Sequence, residues 1–121
     1  MARDSAIILT WGAPVPGRES RSLKVFGEAF EWWLKQAAAG RCGEPRVFYS
    51  SDASGAVFVV EGKSDALHQL MDSDDYAKLT NKATMVVNDL RARMYYGGTA
   101  AEVEHGSTLY LQAANELGYL D

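Results

Sequence analysis

The chain has 121 residues, of which 47% are apolar and 23% are charged, and its formal net charge is -4. A chain of this length buries one hydrophobic core and too little surface for two, and its composition is that of a globular rather than a disordered protein. Because phosphate binding requires a surplus of Lys and Arg, the acidic balance argues against a nucleic-acid partner. We therefore expect a single domain across residues 1–121.

The first apolar run and the cysteine content indicate the cellular compartment of the protein. Residues 6–9 are apolar, but Thr10 and Gly12 follow directly, so the run is too short for a signal segment or a membrane span. Cys42 is the single cysteine and has no partner for an internal disulfide, which fits a reducing compartment. We expect a cytoplasmic protein without a membrane partner.

The first half of the chain reads as a strand followed by a long helix. Residues 5–13 are rich in Ile, Leu and Trp, and the strand must stop at Pro14, which has no N–H for a sheet ladder. The helix is predicted from Arg18 to Ala39 and ends at Gly40. Its predicted core-facing residues are Leu23, Phe26, Phe30, Trp33, Leu34 and Ala37. A second apolar stripe of Val25, Ala29 and Trp32 predicts a surface that another chain covers.

Two strands, at residues 46–50 and 56–61, are predicted to form a hairpin across a polar loop at 51–55. The run from Val57 to Val60 has no polar alternation, so both faces of this strand are expected to be buried.

The second half repeats the pattern of helix and strand. Ser64 and Ser73 are predicted to cap two successive helices. The second of these helices is predicted to turn Tyr76, Leu79, Ala83, Val86 and Val87 to the core. A fourth strand covers residues 89–96 and stops at Gly97. After a polar linker at residues 99–106, an amphipathic helix is predicted at 107–117, within an extension at 107–118 beyond a core of about 5–98.

The element order βαββαβ predicts helices on one face of a small sheet. The other face then stays bare, so the pattern predicts a second copy of the chain as a partner.

The strongest polar signal is the alternation of Arg91, Arg93 and Tyr95 on one face of the fourth strand. Buried guanidinium groups must be paired, and their planar fork fits a carboxylate. Two interpretations stay open: an ion pair within the sheet or across a dimer, and the binding of a small acid. Trp11 and Tyr49 lie on other strands and are candidates to line the same space, or else are ordinary core aromatics.

Neither histidine has a partner at metal-ligand spacing. We predict no metal and no cofactor, and we keep His68 as a candidate ligand contact.

The whole pattern resembles the dimeric α+β barrel superfamily. The resemblance covers residues 5–98 and rests on a first strand running into Trp11, a first helix ending in Gly40, and Gly62 opening a helix that meets Ser73-Asp74-Asp75-Tyr76. It implies a ferredoxin-like α+β fold with a four-stranded antiparallel sheet, in which two sheets pack face to face around a ligand.

Two branches of that superfamily offer partial matches. YCII-like proteins pair a histidine in the first helix with an aspartate before the second; Asp74 or Asp75 fits the aspartate, but Glu31 and Trp32 stand in the middle of a first helix that has no histidine. The antibiotic-biosynthesis monooxygenases place Asn, Trp and His around an aromatic substrate without a cofactor.

Three hypotheses on function follow. The leading one is a homodimer that binds a small acidic or aromatic molecule between its sheets. The alternative is a cofactor-free monooxygenase or isomerase acting on an aromatic or polyketide-like substrate against Trp11, Tyr49 and Tyr95, with Arg91 or Arg93 holding an anion. The third is a structural subunit in which the Trp32 stripe and the C-terminal helix build a larger oligomer.

Overall fold

The computed structural model describes residues 2–120, which form four strands and four helices. Their bounds are β1 Asp4–Trp11, α1 Glu19–Ala38, β2 Arg46–Tyr49, β3 Ala56–Lys63, α2 Ser64–Met71, α3 Asp74–Thr84, β4 Arg91–Tyr96 and α4 Ala100–Glu116. The α+β class and the βαββαβ order with a C-terminal helix are confirmed. No helix among these residues is long and apolar enough to cross a membrane.

The four strands form one antiparallel sheet in the order β2-β3-β1-β4. Ile7 in β1 lies opposite Val60 in β3 and opposite Met94 in β4. Because side chains alternate between the faces of a sheet, this register places every second residue of each strand toward the helices. Those residues are Ser5, Ile7, Leu9, Trp11, Val47, Tyr49, Ala56, Phe58, Val60, Gly62, Ala92, Met94 and Tyr96.

The core lies between that face and the first three helices. Ile7, Val60 and Leu67 are fully buried, and Trp33 and Phe58 pack against them. Burial of such side chains contributes about 1.5–3 kcal/mol each, so this layer supplies most of the stability of the domain.

The core-facing side of α1 differs from the predicted one. Leu23 is 74% exposed and Leu34 is 41% exposed, so the prediction that they face the core is wrong. Trp33 and Gln36 are the buried residues of α1, and the ring of Trp32 lies 6.5 Å from that of Tyr76 in α3. Since α3 packs on this flank, the stripe that was expected to need another chain is covered within its own chain.

The two predicted caps have different outcomes. The Oγ of Ser73 accepts a hydrogen bond from the backbone N–H of Tyr76 at 3.2 Å and caps α3, as predicted. Ser64 instead is the first residue of α2, and its Oγ accepts from the backbone N–H of Arg3 at 2.9 Å. Ser64 therefore ties the N-terminal segment to α2 rather than capping the helix.

The segment after α3 is irregular where helix was expected. α3 ends at Thr84, so Val86 and Val87 lie beyond it, although both are buried. Val87 forms an isolated bridge with Pro14, and the backbone N–H of Val15 donates to the carbonyl of Val86 at 2.9 Å. These bonds hold the chain against the end of β1.

α4 begins seven residues earlier than predicted, since residues 100–106 are helical rather than a polar linker. The Oγ1 of Thr99 caps the helix by accepting from the N–H of Glu102 at 3.2 Å. It also donates to the carboxylate of Asp4 at 3.0 Å, and the Nε of Arg3 lies 2.6 Å from Glu102. The start of α4 is therefore fixed to β1.

Candidate ligand site on the uncovered sheet face

The sheet face turned away from α1, α2 and α3 carries the candidate site. Its aromatic side chains are open to solvent: Phe48 is 51% exposed and Tyr95 is 46% exposed. The residues on this face are Asp4, Ala6, Ile8, Thr10, Arg46, Phe48, Val57, Val59, Glu61, Lys63, Arg91, Arg93 and Tyr95.

The centre of this face is apolar and one margin is basic. Ile8 lies between Val59 on one neighbouring strand and Arg93 on the other. Tyr95 lies opposite Ala6, and Arg91 lies opposite Thr10. The structure confirms that Arg91, Arg93 and Tyr95 share one face, and it places them along the edge of an apolar strip.

The two arginines of β4 have no acidic partner in the part of the chain that the structure describes. No carboxylate oxygen of residues 2–120 lies within 4.0 Å of Arg91 or Arg93. Glu61 lies 4.0 Å from Arg46 at the other margin. Asp52 accepts hydrogen bonds from Ser54, which hold the pKa of its carboxyl below the usual value. An ion pair within the sheet is thus not formed by these guanidinium groups.

A cleft of about 550 Å³ opens at the end of this face where β4 stops. It is lined by Ala6, Ile8, Val59, Tyr95 and the ion pair of Lys63 with Asp4, among others. The hydrogen bond from Lys63, with that from Thr99, lowers the pKa of the Asp4 carboxyl, and the same contact raises the pKa of Lys63. The cleft thus has an apolar floor and a charged rim.

Trp11 and Tyr49 do not join the arginines. Both lie opposite Ala56, on the face that packs against the helices. The ring of Trp11 packs 6.0 Å from that of Phe26 in α1, whereas Tyr49 is 72% exposed at the end of β2. Neither aromatic therefore lines the same space as Arg93, and Trp11 takes the other interpretation, that of a core aromatic.

Trp11 instead lines a second cavity, which sequence reasoning missed. It has a volume of about 70 Å³ and lies between β1, α1 and the segment after α3. Its walls are Leu9, Trp11, Ser22, Val25, Phe26, Ala29, Trp33, Phe58, Ala83, Val86, Val87 and Leu90. Ser22 supplies the one side-chain hydroxyl and no ionisable group is present, so this cavity suits a small apolar group and offers no acid or base.

His68 lines neither of these two sites. It is exposed on α2, and its Nε2 is 3.4 Å from the hydroxyl of Tyr96, which is long for a hydrogen bond. Across residues 2–120, no three His, Cys, Asp or Glu side chains come together as a metal site.

Known structures share the fold of this chain at low sequence identity. No family model and no curated protein matches the sequence. Solved structures match it: Rv0793 from Mycobacterium tuberculosis has a TM-score of 0.65 at 15% identity, covering 81% of this chain and 98% of that one. The chain has a ferredoxin-like α+β fold.

Two further structures of this fold have names that indicate chemistry. SnoaB, a cofactor-independent oxygenase from Streptomyces nogalater whose structure is that of a point mutant, has a TM-score of 0.64 at 10% identity and covers 82% of this chain and 97% of its own. A candidate antibiotic biosynthesis monooxygenase from Deinococcus radiodurans has a TM-score of 0.61 at 14% identity, with coverages of 79% and 94%. At these identities the likeness concerns the fold, and it confirms the resemblance to α+β barrel proteins at that level.

Proposed function

We propose that this chain is a homodimeric binding protein for a small, largely apolar carboxylic acid, aromatic acids above all. The ligand lies on the uncovered sheet face, with its carboxylate on Arg91 or Arg93 and its ring against Ile8 and Tyr95. The observation that carries this proposal is the pair of guanidinium groups that flank an apolar strip without an acidic partner among residues 2–120.

The uncovered sheet face requires a second surface to shield it from water. A contiguous apolar surface of this kind is normally covered in a folded protein, and a second copy presents the same surface in a symmetric dimer. Covering the face removes water from Arg91 and Arg93, and an unpaired buried charge is costly. A bound carboxylate offsets that cost through two parallel hydrogen bonds to one guanidinium group.

The proposal is tested by calorimetric titration of the purified full chain with naphthoate and with its neutral amide. The acid is expected to bind and the amide to bind much more weakly, since only the acid pairs with an arginine. The double variant Arg91→Gln/Arg93→Gln should weaken naphthoate binding by about tenfold or more, the loss typical of a charge-assisted hydrogen bond.

Arg21→Gln is the matched control, because Arg21 is an exposed arginine on α1, away from the sheet face. It should leave binding unchanged. Equal affinity for acid and amide, or equal losses in both variants, contradicts the proposal.

A cofactor-free monooxygenase is the second candidate, supported by the small aromatic-lined cavity at Trp11 and by the shared fold with SnoaB. At about 70 Å³ and without an ionisable group, the cavity has room for O₂ or for one end of an acidic, electron-rich substrate such as a hydroxylated anthracene, which supplies the electrons that reduce O₂. The test is O₂ consumption with such a probe, comparing the protein with Trp11→Phe and, as control, Tyr49→Phe. Consumption no faster than without protein rejects this candidate.

A further inference from the structure

A groove between α1 and the segment after α3 collects basic side chains on a chain that is acidic overall. The groove has a volume of about 540 Å³, and its rim holds Arg18, Arg21, Lys24 and Lys82. Glu28 is the one carboxylate in its lining, and it lies 3.0 Å from Lys82. Four of the 12 Lys and Arg residues thus lie around one groove, although the net charge of the chain is -4.

Two cations of this rim have no acidic partner. Arg21 and Lys24 are exposed on α1, and no carboxylate oxygen of residues 2–120 lies within 4.0 Å of either. Arg18 instead donates from its Nη1 to the backbone carbonyl of Met85 at 2.6 Å, which ties the start of α1 to the segment after α3. Because residues three apart on a helix are neighbours, the like charges of Arg21 and Lys24 repel each other, and an anion bound between them relieves that repulsion.

The floor of the groove is apolar and continues into the interior of the domain. Val25 and Val86 line the groove and also line the cavity of about 70 Å³ at Trp11. Val25 lies one helical turn after Arg21, on the same side of α1, which is a rise of about 6 Å along the helix axis. The cationic rim and the apolar cavity are therefore adjacent parts of one site.

We propose that this site binds an amphipathic phosphate monoester with a short alkyl chain. The phosphate lies on Arg21 and Lys24, and the chain passes Val25 into the cavity at Trp11. A phosphate monoester carries about -1.5 to -2 charges at neutral pH, so it matches two free cations where a carboxylate matches one.

The size and lining of the cavity limit the apolar part of the ligand. No ionisable group lines the cavity, and its volume of about 70 Å³ is roughly half of the 150 Å³ of an apolar cavity that holds benzene. A chain of a few methylenes fits this space and a fused aromatic ring system does not. The inference goes beyond the proposed acid-binding site, since none of these residues lies on the uncovered sheet face.

The test is an NMR titration of the full chain with n-butyl phosphate, methyl phosphate and n-butanol, followed through the backbone amide shifts of residues 18–29 and 82–87. Butyl phosphate has three more methylenes than methyl phosphate and should bind about tenfold or more tightly, because each buried methylene contributes about fourfold. Butanol, which has no phosphate, should bind much more weakly than butyl phosphate. Equal affinities for the two phosphates would indicate an adventitious ion only and overturn the proposal.

The cationic rim is tested with the double variant Arg21→Gln/Lys24→Gln, which should weaken butyl phosphate binding by about tenfold or more. Lys35→Gln/Lys78→Gln is the matched control, because it removes the same charge from exposed lysines of α1 and α3 that do not line the groove. It should leave the affinity unchanged. Equal losses in the two double variants mean a general effect of net charge and contradict the site.

Ala29→Leu tests the cavity, because Ala29 lines it and the larger side chain occupies the same space. The variant should bind methyl phosphate like the native chain and lose the added affinity for butyl phosphate. A folded Ala29→Leu protein that still prefers butyl phosphate excludes the cavity as the place of the alkyl chain.

The two proposed ligand sites fail independently. The fused rings of naphthoate are too large for the cavity of about 70 Å³, so Arg21→Gln leaves naphthoate binding on the sheet face unchanged. Arg91→Gln/Arg93→Gln should in turn leave butyl phosphate binding unchanged. Loss of butyl phosphate binding in that variant contradicts the separate site on α1.

Discussion

Tyr76 brings a polar group into the core. It is 7% exposed, packed between the rings of Trp32 and Trp33 at 6.5 and 6.1 Å. Its hydroxyl has no hydrogen-bond partner among the described residues, and burial raises its pKa. A buried polar group without a partner costs about 1–3 kcal/mol, so this hydroxyl reduces the stability of the fold.

Tyr76→Phe is therefore expected to raise the free energy of unfolding by about 1 kcal/mol, because it removes the unpaired hydroxyl and keeps the ring. The measurement is urea unfolding followed by tryptophan fluorescence. Tyr119→Phe, at a residue that is 78% exposed, should change nothing. A destabilised Tyr76→Phe protein would mean that the hydroxyl has a partner.

The alternation of polar and apolar residues along a strand predicted the common face of the β4 side chains but not the face on which Trp11 lies. Arg91, Arg93 and Tyr95 alternate with Ala92 and Met94, so their common face was readable from the sequence. The segment leading to Trp11 is apolar at every position from 6 to 9, and such a run carries no signal of which residues face the helices. The face of Trp11 depends on the register of β1 against β3, which only the fold supplies.

At the scale of elements, the attachment of α4 depends in part on the half-buried carboxylate of Asp4. Asp4 accepts hydrogen bonds from Lys63 and Thr99, and these lower its pKa below the value of 3.8 that a free carboxyl shows. A carboxyl with a lowered pKa in the folded state stabilises that state above its unfolded pKa, and this contribution is lost as the pH falls through the folded pKa. The contact between Thr99 and β1 should thus loosen in acid, at pH values below about 4.

Hydrogen-exchange protection factors of residues 100–106, corrected for the intrinsic pH dependence of exchange, test this expectation. The native chain should lose protection as the pH falls below about 4, and Asp4→Asn should start from lower protection and lose less of it in this range. Asp65→Asn is the control, since Asp65 lies on α2 and bonds only the neighbouring backbone N–H of Ala66. Protection that persists in acid in the native chain would contradict the anchoring role of Asp4.

The order and number of helices and strands were predictable from the sequence. Which side of each helix is buried, and where each helix begins, were less predictable. The buried flank of α1 is rotated toward Trp32 because α3 packs there, and the position of α3 is a tertiary fact that a helical wheel does not contain. The predicted C-terminal helix is shorter than α4 because Gly106 and its polar neighbours resemble a linker. In the structure Thr99 caps the helix, which begins seven residues before the predicted start. Local propensity was outweighed in both places by contacts that the chain makes after folding.

At the scale of the whole molecule, the domain has one covered core and one sheet face without cover. Solved structures of the same fold are matched over 94–98% of their own lengths, but they leave about a fifth of this chain unmatched. The uncovered sheet face is the surface on which we base the dimer and its ligand.

The most direct test of this account is the molar mass of the full chain in solution, measured by light scattering across a range of concentrations. The account predicts a species of twice the 13.2 kDa chain mass that dissociates only on dilution, because the uncovered sheet face of each chain is then buried. A folded protein with the mass of a single chain at every concentration would contradict it.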